Sequence, residues 1–154
     1  MYIAMLICLM LIFPLASIAL DAFVHRHDVL DAAMIGKWFV FWAVGVRLLV
    51  AGLRQILQPR YTAETILGVK DPDALLIVRE LGFANSAIGA AAAASLFLPH
   101  WTSPLAVIGA VFYALAGINH VVQKQRTRFQ NAAMLSDLFA AAVLLGACFE
   151  TKLP

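Results

Sequence analysis

Between Lys37 and Leu57 the chain reads KWFVFWAVGVRLLVAGLRQIL. The run is apolar and aromatic, is long enough to cross a bilayer, and has Arg47 at its centre. A hydrocarbon core of about 30 Å takes about 20 helical residues at 1.5 Å each. Arg47 therefore falls near the midplane, where an unpaired charge costs about 3 kcal/mol or more. Whatever fold this chain adopts must bring a partner to that guanidinium.

The rest of the chain supplies further spans. Of its 154 residues, 63% are hydrophobic and 13% charged, and the mean hydropathy is +0.88. A soluble domain carries about 25% charged residues. An all-α integral membrane protein follows, a single transmembrane domain over residues 1–154. The net charge of +2, with no basic patch interleaved with aromatics, points away from nucleic acid. Cys8 and Cys148 sit in apolar segments at opposite ends of the chain and read as small core hydrophobes.

Five helices are expected, at about 1–20, 37–57, 74–98, 104–122 and 131–148. Met1–Leu20 carries no charge and lacks the basic start and small-residue exit of a signal peptide, so it reads as a retained first helix, bent at Pro14. Asp21–Gly36 reads as a wet connection. Its His25 and His27 are spaced so that they would diverge on a helix, so no metal site is expected there. Trp38 and Trp42 anchor the start of the second helix at an interface.

Thr62–Leu67 reads as an amphipathic surface turn stopped by Gly68. Asp71-Pro72-Asp73 opens the third helix. From Leu81 to Gln123 there is no Asp, Glu, Lys or Arg. As one helix that run would extend about 65 Å, twice the bilayer, so it must fold back. Pro99–Pro104 marks the turn, with Ser103 as expected cap and Pro104 as first helical residue.

Orientation follows from the basic residues of the short flanks. Arg54, Arg60, Lys70, Lys124, Arg126 and Arg128 fall on the side of the N-terminus, against Arg26, Lys37 and Lys152 on the other. This places the N-terminus in the cytoplasm and the C-terminus outside, across a cytoplasmic (inner) membrane.

Depth along this topology gathers the polar residues of four helices into one half of the bilayer: Arg47 and Gln55, Glu80 and Asn85, Asn119 and His120, and Asp137. Ionisable groups in membranes face the bundle interior and pair with one another. The expectation is an Arg47–Asp137 pair, with Glu80 and His120 completing a polar chamber. Such a cluster serves either as a ligand or proton site or as a structural clasp.

The run from Arg47 to Gln55, RLLVAGLRQ, followed by Pro59, a polar connection and then Arg79-Glu80-Leu81-Gly82 opening a small-residue helix, resembles the DoxX-like group of small multipass membrane proteins. The KWFVFWAVGVR stretch is similar to that of uncharacterised bacterial members. The resemblance implies a four-helix bundle over residues 40–148, with Met1–Leu20 as an added helix. It also implies a link to membrane redox systems, some relatives being subunits of thiosulfate:quinone oxidoreductase or of methylamine-utilisation machinery.

No nucleophile elbow, P-loop, dinucleotide fingerprint or zinc signature is present, so the sequence names neither catalytic residues nor a cofactor. The leading expectation is an accessory subunit or a small-lipophile-binding protein. Its partners would be the lipid bilayer, a lipophilic small molecule such as a quinone, and a companion membrane subunit or further copies in a homo-oligomer. A membrane enzyme or redox component acting on a quinone comes second. A small transporter comes third, because no inverted repeat or broken helix pair is visible.

Overall fold

The computed structural model describes residues 2–26, 28 and 31–150, the last two as backbone only. His27 and Lys152, which enter the loop and orientation readings above, lie outside the described residues. The chain is helical, with five long helices: α1 Tyr2–His25, α2 Ala32–Leu57, α3 Ala74–Ala94, α4 Thr102–Val122 and α5 Arg128–Glu150. Each is long and apolar enough to cross a membrane, and in lipid a helix satisfies its own backbone groups. A short π-helical turn, Tyr61–Leu67, joins α2 to α3 and ends at Gly68, whose φ of 74° is the left-handed stop expected there.

The helix ends differ from expectation wherever a side chain holds them. α1 continues past Leu20 to His25 because Asp21 belongs to a buried seam, not to a wet connection. The Asp21 carboxylate, 9% exposed, accepts Lys37 Nζ at 2.7 Å and Trp38 Nε1 at 2.8 Å, and His25 Nδ1 lies 2.7 Å from its other oxygen. One turn deeper, Trp42 Nε1 donates to Ser17 Oγ at 3.0 Å. α2 starts at Ala32, ahead of Lys37, because Asp31 caps it by accepting the Ala33 N–H at 2.8 Å.

α2 and α3 approach to backbone contact. A Cβ built at Gly82 would lie 2.9 Å from the Gly52 carbonyl, and one at Gly89 would lie 2.8 Å from the Gly45 carbonyl. Glycine at these four positions, two turns apart on each helix, permits the small-residue packing that association in lipid uses. α3 ends at Ala94, one turn before the expected Leu98, where Ser95 Oγ donates to the Ala92 carbonyl at 2.7 Å.

A 3-10 turn, Pro99–Trp101, then leads directly into α4 at Thr102. Ser103 thus lies inside the first turn and is not the cap. Pro99 already holds helical φ, so the path starts earlier than Pro104 alone predicts. Arg126 folds back over the end of α4, donating to the carbonyls of His120, Val121 and Gln123 at 3.0, 3.0 and 2.7 Å. α5 begins at Arg128, ahead of Asn131, because Thr127 and Gln130 form a reciprocal capping box at 2.7 and 3.2 Å.

The interior between these helices is filled by Phe39, Val40, Val44, Leu48, Leu105 and Leu144. Large side chains such as Phe23, Leu57, Phe97 and Leu135 point outward, as a bilayer-facing surface requires.

Candidate functional site

Two of the five helices change register where they face each other. In α1, Pro14 has no N–H to give the Met10 carbonyl. The preceding turn, Cys8–Ile12, widens to a π-helix in which the Phe13 N–H reaches back to the Cys8 carbonyl. In α2, Val40–Val46 is also π-helical. The Arg47 N–H passes over Ala43, its α-helical acceptor, and bonds the carbonyls of Trp42 and Val44 instead. The vacated Ala43 carbonyl accepts the Tyr113 hydroxyl from α4. Such inserted residues re-aim the side chains that follow and recur at functional positions.

What they aim here is Arg47. Its guanidinium meets Asp137 of α5 at 2.5 Å and donates to Ser136 Oγ at 3.1 Å. It also lies 4.7 Å from the centre of the Tyr113 ring. Its Nη1 donates to the Met10 sulfur at 3.6 Å. Arg47 and Asp137 are 7% and 5% exposed. Four helices thus surround a single buried ion pair. Tyr2 is close enough to feel both charges.

The other expected members divide. His120 is partly buried, lies within electrostatic range of Asp137, and its buried Nδ1 has no hydrogen-bond partner among the described residues. Gln55 and Asn85 form a separate clasp between α2 and α3, with Asn85 Nδ2 donating to Gln55 Oε1 at 2.8 Å. Gln55 stands eight residues beyond Arg47, about 12 Å along the helix.

Glu80 and Asn119 are exposed and join neither group. Helix phase explains both. Each lies two residues from a buried glycine (Gly82 or Gly117) and so about 200° round from the packed face. Sharing a stretch of helix therefore did not bring these two side chains to the ion pair; their direction around the helix turns them away.

Tyr113, Ser136, Met10 and Tyr2 were missed as members. Tyr113 carried a signal, standing four residues from both Gly109 and Gly117 on the packed stripe of α4. Met10 and Ser136 carried none beyond adjacency to Pro14's turn and to Asp137.

Beside the ion pair, α1 and α5 leave a groove of about 400 Å³, lined by Ile3, Ile7, Met10, Leu135, Ser136 and Phe139 among others. Its rim is apolar and exposed: Ile7 is 47% and Leu135 65% exposed. Its two residues with polarisable or polar tips, Met10 and Ser136, are the ones that touch Arg47.

Together these features define a multipass α-helical membrane protein with a buried arginine–aspartate pair behind Met10 and Ser136, two residues that line an apolar groove. The chain belongs to a family of unknown function, DUF6790, whose model matches residues 1–151. No curated protein and no solved structure is matched significantly by the chain.

Proposed function

We propose that this protein binds a small lipophile in the α1–α5 groove and presents the lipophile's carbonyl oxygen to Arg47. The observation that carries the reading is the contact between Arg47 Nη1 and the Met10 sulfur. A thioether is a weak acceptor, so Nη1 of a charged group has a weak partner, and that partner is what separates it from the groove. Met10 sits on the groove wall, and methionine moves between rotamers at little cost. A carbonyl entering the groove is a better acceptor and replaces it.

A quinone or an ester-linked lipid has this chemistry. The likeness of the RLLVAGLRQ run to the DoxX-like group, with its redox-linked members, supports the quinone. An accessory role in a larger membrane assembly is compatible with the same groove. So is proton transfer from His120, which lies within electrostatic range of Asp137, to a quinone that a partner redox protein has reduced. The excess of basic residues on the 58–73 and 123–127 connections supports a cytoplasmic N-terminus in an inner membrane.

The test is native mass spectrometry of protein extracted gently from its own membrane, with lipid and cofactor analysis of the same sample. A carbonyl-bearing lipophile retained in stoichiometric amount supports the reading. A bare protein, or one that holds only a companion subunit, removes it.

A further inference from the structure

At the opposite end of the bundle the five helices converge on a second cavity, of about 360 Å³. Lys37 stands ten residues from Arg47 on α2, about 15 Å away along the helix, so this cavity is distinct from the groove. Its floor is apolar, formed by residues such as Met34, Ala106 and Ala147, and its wall carries charges. Three charged residues line it: Asp21, Asp31 and Lys37.

Their hydrogen-bonding capacity is unequally used. Asp21 already holds Lys37, Trp38 and His25. Lys37 has three N–H donors, gives one to Asp21, and its side chain is 40% exposed. Asp31, also a lining residue, accepts the Ala33 N–H on Oδ1, and its second oxygen has no hydrogen-bond partner among the described residues. The net result is an ammonium with donors to spare and a carboxylate with an oxygen to spare, on one wall.

We propose that this cavity binds a zwitterion that carries a primary ammonium and a phosphate or carboxylate. The anionic group sits on Lys37 and the ammonium on Asp31. Six residues separate the two positions on α2, about 9 Å of helix rise. The cavity lies where the spans end, so the same chemistry is available from a phospholipid headgroup or from a free solute.

The experiment is equilibrium binding of O-phosphoethanolamine to the full chain in detergent. It is repeated in nanodiscs of phosphatidylethanolamine and of phosphatidylglycerol. Saturable binding in the millimolar range or tighter is expected, and Asp31→Asn should weaken it about tenfold, the loss of one charge-assisted contact. That variant keeps the α2 cap, since asparagine caps as well as aspartate. Ser103→Trp, which puts an indole at a lining position and leaves all three charges, should abolish binding. Competition by phosphatidylethanolamine but not phosphatidylglycerol assigns the site to the lipid headgroup; binding equal in both nanodiscs assigns it to the free solute. Absence of saturable binding in detergent and in both nanodiscs overturns the proposal, as does an affinity unchanged by Asp31→Asn.

Discussion

The Tyr113 hydroxyl of α4 donates to the Ala43 carbonyl of α2, the acceptor that the Arg47 N–H passes over. One side chain thus satisfies the backbone group freed by the π-helical segment, while its ring lies against the guanidinium that the segment directs inward. Backbone register and buried charge are coupled through this tyrosine. Tyr113→Phe keeps the ring and removes the hydroxyl, leaving a buried carbonyl without that donor. Its expected cost is about 1–3 kcal/mol. Hydrogen exchange should rise over residues 40–47 more than over α5; uniform exchange would show that the register does not depend on the hydroxyl.

The Arg47–Asp137 pair predicts a non-additive mutational cycle. Removing either partner alone leaves a charge at 7% or 5% exposure, with an expected cost of about 3–5 kcal/mol. The double variant Arg47→Met with Asp137→Leu removes both charges and should recover much of that loss. Denaturant unfolding in detergent micelles measures the cycle. Additive single effects would mean that the two groups do not depend on each other.

Glycine substitutions separate the close helix seam from open surface. Gly89→Ala places a Cβ against the backbone of α2, with the Gly45 carbonyl at 2.8 Å, and neither backbone can yield cheaply. The expected loss is about 1–3 kcal/mol. Gly146→Ala meets nothing within 4 Å and should be neutral or slightly stabilising, since alanine is the better helix former. Equal melting temperatures for the two variants would contradict the packing.

The capping box at the start of α5 is a local device with a local prediction. Thr127→Ala removes the acceptor of the Gln130 N–H and should cost about 1 kcal/mol. Because Gln130 Nε2 also donates to the Leu67 carbonyl at 3.3 Å, Gln130→Ala should additionally loosen the Tyr61–Leu67 turn. Limited proteolysis near residues 68–70 reads that effect; unchanged cleavage would separate the two elements.

Much of this architecture was legible in the chain, for reasons that sort by range. Hydrophobic length revealed five apolar helices and Gly68 a stop. Asp71 and Pro72, however, stand in a turn ahead of α3, where Asp71 Oδ1 accepts the Asp73 N–H at 2.9 Å and Asp73, not Asp71, holds the N-cap position before Ala74. These features are set within a few residues of where they act. Arg47 announced that it needed an acid, and Asp137 was the one acid deep in a later span. The helix ends were less legible because Asp21, Arg126 and the Thr127–Gln130 pair act through side-chain bonds that apolar length does not register. Thr127-x-x-Gln130 was nonetheless a readable capping signal. Glu80 and Asn119 show a different gap: depth fixes level in the bilayer, but only helix phase against a neighbour fixes direction. The π-helical segments shift that phase in mid-helix, and nothing in VFWAVGV declares it.

The central claim is that the α1–α5 groove holds a carbonyl-bearing lipophile against Arg47, and the most direct measurement compares retained lipophile in the wild-type chain and in Ala132→Trp. Ala132 lines the groove without touching the ion pair, so a tryptophan there fills the space and spares the charges. Native mass spectra of both proteins, prepared side by side from the same membrane, should show the lipophile at one per chain in the wild type and absent from the folded variant. Equal retention by both would contradict the account, as would a wild-type protein that carries no lipophile.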